Sequence, residues 1–115
     1  MKHFQRKEFL CPCCGEEDMA PAFLAKLDEA RAIAGVPFVI TSGFRCRKHN
    51  AAVGGVDDSS HVWGVASDIA AASSERRYHI LRGLLLAGFR RIGFGPDFIH
   101  ADADEDKPQD VIWTY

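Results

Sequence analysis

Two short stretches of the chain combine histidine and aspartate at spacings that suit metal chemistry. The first runs from Ser60 to Ile69 and carries His61 and Asp68, with mostly small or apolar residues between them. The second, Asp97 to Asp102, adds a further imidazole, that of His100, flanked by carboxylates. Imidazole nitrogen and carboxylate oxygen both bind zinc at about 2.0–2.2 Å. These residues therefore predict a zinc site whose candidate ligands are His61, Asp68 and His100.

A zinc centre of this kind can drive hydrolysis. Catalytic zinc usually has three protein ligands and leaves a fourth position for water, whose pKa it lowers to about 7. A nearby carboxylate then takes the proton and passes it to a leaving amine. Asp97 precedes His100 across a predicted turn and is the candidate general base. Arg45 follows a predicted strand and is the candidate cation for the substrate carbonyl.

Three further side chains in or beside these motifs are candidates for substrate contact: Ser60, Trp63 and His49. Two of them have plainer interpretations, since His49 in a long loop can simply be exposed and Trp63 can be a core aromatic. The candidate zinc ligands also have a plainer interpretation, as residues that bind no metal. Histidines near glycines are common as surface or core residues, and Asp68 can pair with an arginine. Spacing alone leaves these interpretations open.

The composition fits one globular domain over residues 1–115. Hydrophobic residues make up 47%, charged residues 26%, and the net charge is −2, which argues against a dedicated nucleic-acid binder. A chain of this size can bury a core without metal or disulfides, so a bound metal is expected to be functional. The sequence has no apolar run long enough to span a membrane, and residues 1–8 are charged and unlike a signal peptide. We therefore expect synthesis in the cytoplasm and no membrane insertion.

Four cysteines allow three interpretations: Cys11, Cys13, Cys14 and Cys46. One is a structural zinc site of four thiolates, for which the run Cys11-Pro12-Cys13-Cys14 is judged poorly spaced, because zinc knuckles pair cysteines as Cys-x2-Cys. A second is a disulfide from Cys46 to Cys11 or Cys14. A third is free, buried or half-buried thiols in a reducing cytoplasm.

Two amphipathic helices are predicted. The first has Asp18 as its N-cap, Pro21 in its first turn and Gly35 at its end. The second begins after a serine cap at Ser73 or Ser74. The apolar stripe of this second helix is predicted to consist of Tyr78, Leu81, Leu84 and Leu85.

Short apolar runs bounded by turn residues predict five strands: 38–41, 65–71, 91–94, 98–102 and 111–115. Residues 46–60 are predicted to form a long irregular segment with a functional role, and residues 102–106 a solvated acidic turn. An N-terminal arm, residues 1–19, is expected to be anchored by its apolar side chains, Phe4, Phe9 and Leu10. The order of elements predicts an α+β fold in which a small, mostly antiparallel sheet packs with two main helices.

Four motifs then occur in a fixed order. Ser59–Asp68 matches Ser-x-His-x-x-Gly-x-Ala-x-Asp at every defined position, and Asp97–His100 matches (Glu/Asp)-x-x-His. Upstream lie Ser42-Gly43-Phe44-Arg45 and the segment His49–Gly55. Together they resemble the M15 metallopeptidases, the zinc D-Ala-D-Ala peptidase family, and most closely its short single-domain members often seen in phages. The resemblance covers residues from about 8 to 102.

The resemblance implies one zinc ion held by His61, Asp68 and His100, with Asp97 as the catalytic base and Arg45 on the substrate carbonyl. It implies the small α+β fold shared with the hedgehog signalling domain. The implied substrates are peptidoglycan stem or cross-link peptides that contain D-amino acids, cut by a D,D-carboxypeptidase or an endopeptidase. The family more often has tyrosine where this chain has Phe44, so one hydroxyl near the site is absent.

Two other hypotheses stay open beside a monomeric peptidase of this kind. One is a zinc-containing module without hydrolytic activity, which binds the cell wall or acts structurally in a phage tail. The other is a cytosolic dipeptidase, although so short a chain offers few insertions for a closed pocket. Because every catalytic role has a candidate residue, the peptidase is favoured. With no signal peptide predicted, it is expected to reach the wall after phage-type release or on a virion.

Overall fold

A five-stranded sheet forms the floor of the molecule, in the spatial order β1-β2-β4-β3-β5. The computed structural model describes residues 1–115. Its strands are β1 (Ile40–Ser42), β2 (Ala66–Ala70), β3 (Arg91–Phe94), β4 (Phe98–Asp102) and β5 (Val111–Thr114). Its helices are α1 (Pro21–Ala34), α2 (Arg47–Ala52), α3 (Ser74–Leu86) and a 3-10 turn over Arg6–Phe9. The predicted α+β class is confirmed.

The sheet is mostly antiparallel, also as predicted. β4 lies between β2 and β3 and is antiparallel to both, while β5 joins the edge of β3 in parallel. The turn at 95–97 lets β4 return beside β3, and both strands have the bounds that their sequence pattern predicted. Side chains on β4 therefore alternate between the helical core and the opposite face.

Helix α1 packs against α3 on one side of the sheet. It begins at Pro21 in the N1 position, and Gly35 ends it in the left-handed conformation with φ of 71°. The predicted cap at Asp18 was wrong, because Ala20 occupies the N-cap and the proline already fixes the first turn. Gly83 lets the two helices approach closely, since a Cβ there would lie 2.4 Å from the Ala30 carbonyl oxygen.

Helix α3 begins at the predicted serine cap, where Ser73 Oγ accepts a hydrogen bond of 3.1 Å from the Arg76 amide. Its buried face runs through Ile80, Gly83 and Leu84. The predicted stripe was wrong at Tyr78 and Leu85, which are 65% and 49% exposed. Gly83 of α3 faces α1, so the packing between the two helices determines which face of α3 is buried.

The N-terminal arm is anchored by aromatic packing. Phe4 and Phe9 are buried with ring centroids 5.5 Å apart, whereas the predicted anchor Leu10 is 44% exposed. Backbone amides of Lys2 and His3 donate to the carboxylate of Asp28 on α1. The arm is thus joined to the core at both ends of its first nine residues.

The segment 46–60 contains one element that the sequence pattern did not predict. Helix α2 comprises six residues and begins directly after Cys46. Asn50 on this helix is buried and its side-chain amide donates to the Val56 carbonyl at 2.7 Å, which orders the rest of the segment. None of the helices combines the length and the apolar character needed to cross a bilayer.

Candidate metal centre

The candidate site forms where β2 and β4 pair. In the antiparallel register Asp68 stands directly opposite His100, and the two side chains lie on the same face because paired residues share a face. His61 arrives from the preceding loop, where its carbonyl accepts from the amides of Arg45 and Gly64 at 3.2 and 3.3 Å. One potential ligand atom from each of His61, Asp68 and His100 lies within 4.8 Å of the other two.

The donor atoms converge on a single carboxylate oxygen. His61 Nε2 lies 3.3 Å and His100 Nδ1 3.0 Å from Asp68 Oδ1. The imidazole rings are 5.2 Å apart between centroids and tilted by 61°. All three side chains are buried, so water would only weakly screen a charge placed among them.

The far nitrogen of each imidazole has its own acceptor. His61 Nδ1 donates to the Gly43 carbonyl at 2.8 Å, and His100 Nε2 donates to Asp102 Oδ2 at 2.7 Å. These two contacts leave His61 Nε2 and His100 Nδ1 facing Asp68, where a protonated ring donates a hydrogen bond to the carboxylate and a neutral ring presents a lone pair. Metal-binding histidines are commonly oriented in this way. When both rings are neutral, three electron-pair donors face one another, an arrangement that a cation stabilises, and the nitrogen and oxygen set suits zinc.

The charges around the site reinforce each other. Burial alone would raise the pKa of Asp68, but hydrogen bonds and charge from His100 and His61 hold this pKa well below its ordinary range. Burial alone would lower the pKa of His100, yet its hydrogen bonds to Asp102 and Asp68 raise it. The carboxylate is therefore ionised at neutral pH, as a metal ligand must be.

Asp102 is one functional residue that sequence reasoning missed. The predicted solvated turn at 102–106 was wrong here, because Asp102 and Asp104 are both buried. Asp102 accepts from Arg91 Nε at 2.7 Å as well as from His100. Burial would raise the pKa of Asp102, but the His100 hydrogen bond and the Arg91 charge lower it. The available signal was alternation along β4, which puts His100 and Asp102 on one face.

Asp102→Asn is expected to weaken zinc binding at the histidine site by about 10- to 100-fold, because the amide cannot hold the His100 tautomer as a carboxylate does. Asp102 is a positioning residue, so circular dichroism must first show a folded variant. Competition with a chromogenic chelator then measures the affinity. Asp106→Asn, in the same acidic stretch but exposed, is the matched control. An Asp102→Asn affinity equal to that of the control would contradict this role.

A cavity of about 560 Å³ opens beside the three candidate ligands. Arg45 and Ser60, both predicted site residues, line it. Arg45 Nη2 lies 3.4 Å from Asp68 Oδ2, and its Nε donates to Ser42 Oγ at 3.1 Å. Ser60 Oγ donates to Asp104 Oδ2 at 2.8 Å. The structure thus places a cation next to the candidate ligands, at the wall of an open cavity.

Three other predicted site residues do not line this cavity. Asp97 is exposed in the turn before β4, where its carbonyl accepts from the Ala71 amide. Trp63 is 61% exposed and lies under the Arg47 guanidinium, 5.6 Å from the ring centroid. His49 is on α2 and its side chain also stays outside the cavity.

An aromatic wall, unrecognised in the sequence, comes from β5 and the residue that follows it. Trp113 and Tyr115 line the cavity, and the Trp113 ring centroid is 5.5 Å from that of His100. Gly93 makes room for the indole, since a Cβ there would lie 2.6 Å from it. The two aromatics are two residues apart in extended chain, a spacing that predicts a shared face but not which neighbour they contact.

Comparison with protein families identifies a match over most of the chain. No curated protein is similar enough to count as a relative. The family model described as Peptidase M15 matches residues 2–102. This span includes all four motifs and the three candidate ligands. The chain therefore belongs to the Peptidase M15 family, whose members are metallopeptidases.

Proposed function

We propose that this protein is a zinc-dependent peptidase that hydrolyses peptides of bacterial peptidoglycan containing D-amino acids. The observation that carries the proposal is the convergence of two anchored imidazoles on Asp68 beside an open cavity. Membership of a metallopeptidase family supports the same reaction class. Delivery to the wall by phage-type release or on a virion belongs to this proposal, as does action as a monomer.

In this proposal the zinc ligands are His61 through Nε2, Asp68 through Oδ1 and His100 through Nδ1. When bound, zinc supplies a polarising charge and an acidified water for attack on an amide. The protein contributes the orientation of these donors, through the Gly43 carbonyl and Asp102. It also limits solvent access, since the three ligands are buried.

Arg45 is proposed to receive the substrate carbonyl. Its guanidinium lies beside Asp68 and is only partly exposed at the cavity wall. A positive group fixed at this position can stabilise the negative charge that develops on the carbonyl oxygen during attack. Trp113 and Tyr115 supply an aromatic surface against which a peptide stem can pack.

Asp97 is proposed as the general base. Its carboxylate is exposed and forms no hydrogen bond or ion pair, and its neighbour Phe98 lines the cavity. To act, the turn at 95–97 must bring the carboxylate toward the ligands, and catalytic contacts often tighten only with substrate bound. Asp97→Ala should then keep zinc and lose hydrolysis. If hydrolysis persists, another group is the base, whereas loss of zinc would make Asp97 a ligand.

Digestion of purified peptidoglycan tests the enzyme proposal directly. Zinc-loaded protein is incubated with sacculi, and the products are identified by mass spectrometry. New peptide termini are expected, absent after chelation and restored by zinc. Their masses distinguish a carboxypeptidase, which releases one residue, from an endopeptidase. Intact peptides with the loaded protein would overturn the proposal. Retained binding to sacculi in that case would instead support a non-hydrolytic wall-binding module.

A further inference from the structure

Three thiols form a second cluster that shares no residue with the histidine–aspartate site. The sulfurs of Cys11, Cys14 and Cys46 all lie within 4.8 Å of one another. Cys11 and Cys14 belong to the N-terminal arm, and Cys46 directly precedes α2. The cluster therefore joins two segments that are 35 residues apart in the chain.

The local sequence is better suited to a metal than the run of cysteines first indicates. Cys11 and Cys14 are themselves a Cys-x2-Cys pair, with Cys13 as an inserted extra thiol, so the sequence-based judgement of poor spacing was wrong. The chain turns tightly around the pair. Gly15 has φ of 72°, and its amide donates to the Cys11 carbonyl at 2.8 Å.

Backbone amides point at the sulfurs. The Cys46 amide donates to Cys11 Sγ at 3.5 Å, and the His49 amide donates to Cys46 Sγ at 3.4 Å. Hydrogen bonds of this kind favour the thiolate over the thiol, and the thiolate is the form that binds metal.

The distance between sulfurs also fits a shared ion. Zinc–sulfur bonds of about 2.3 Å at a tetrahedral centre place neighbouring sulfurs about 3.8 Å apart. Cys11 Sγ and Cys46 Sγ are 3.8 Å apart. A disulfide would require about 2.05 Å. The third sulfur, from Cys14, lies within 4.8 Å of the other two, close enough to share an ion with them after a small adjustment.

We propose that Cys11, Cys14 and Cys46 bind a structural zinc ion, distinct from the ion at the histidine–aspartate site. Cys14 is exposed, so the fourth position lies toward solvent, where water can complete the tetrahedron. The ion would hold the arm against the segment that carries Arg45. That contact is already close, since the Phe44 amide donates to the Phe9 carbonyl at 3.0 Å.

Metal analysis of the full-length protein, purified under reducing conditions, tests this site. Wild type is expected to hold two zinc equivalents per chain, and Cys14→Ser one. Cys13→Ser, the same substitution at the adjacent exposed thiol, should keep two. The double variant with His61→Ala and His100→Ala should keep one, and its cobalt form should show strong thiolate-to-cobalt absorption in the near ultraviolet. That variant separates this site from the proposed peptidase centre.

Two results would overturn the proposal. One is a cobalt-loaded wild type without thiolate-to-cobalt absorption, a measurement that remains available if Cys14→Ser fails to fold. The other is a Cys11–Cys46 disulfide in the reduced preparation, shown by mass spectrometry after alkylation of free thiols. Equal zinc loss in Cys13→Ser and Cys14→Ser would also contradict the assigned ligands.

Discussion

Replacing His100 with alanine should remove one equivalent of zinc per chain and reduce peptidoglycan hydrolysis by about a thousand-fold or more. The physical reason is that His100 Nδ1 is one of only three donors facing the site. Metal polarisation contributes several kcal/mol to stabilising the transition state, and each 1.36 kcal/mol changes a rate about tenfold. Zinc content by mass spectrometry and product release from sacculi measure the two effects.

His3→Ala is the control for this change, because His3 is exposed in the N-terminal arm and its hydrogen bonds to α1 are made by its backbone. It should keep both zinc and activity. If His100→Ala binds as much zinc as His3→Ala, His100 is not a ligand. If it loses zinc but keeps its hydrolysis rate, the reaction does not depend on this centre, and the proposed function is wrong while the metal site stands.

Gly64→Ala should destabilise the protein by about 2–5 kcal/mol, among the largest effects expected from adding one methyl group. Gly64 has φ of 71°, and an added Cβ would lie 2.0 Å from the backbone oxygen of Asp18. The Ala20 amide also donates to the Gly64 carbonyl at 2.9 Å. Because this backbone contact cannot move aside easily, the loop that delivers His61 should be displaced from the start of α1.

Gly54→Ala separates the two causes of that effect. Gly54 has a similar φ of 75°, but no atom lies within 4 Å of its Cβ position. It should therefore show only the left-handed backbone cost of about 1–2 kcal/mol. Urea unfolding of both variants, followed by circular dichroism, gives the comparison. Equal losses of stability would mean that the approach to Asp18 is unimportant.

Local pattern was sufficient for β4, the strand that carries His100, and for its neighbour β3. β3 and β4 have the predicted bounds because a tight turn with glycine and proline separates two short apolar runs. The ligand set of His61, Asp68 and His100 also came from local motifs, and the structure brings the three together. The placement of Asp68 beside His100, however, depends on the pairing of β2 with β4, which joins residues about thirty positions apart.

The missed residues depend on such distant partners. Asp102 looked like part of a solvated acidic stretch because its partner Arg91 lies on another strand. Trp113 was predicted only as a strand residue, since its contact with His100 requires β5 to add to β3 in parallel. In the same way, the tertiary packing of α3 on α1 decided that Tyr78 would be exposed.

The candidate site forms only when β2 and β4 pair in the register that places Asp68 opposite His100. A slip of one residue would turn Asp68 and His100 to opposite faces of the sheet. A strand pair slipped by one residue could then not hold an ion through both side chains. A metal that binds only the native register lowers the free energy of that register alone. Zinc present during folding should therefore favour the native pairing of β2 with β4 over the slipped pairing.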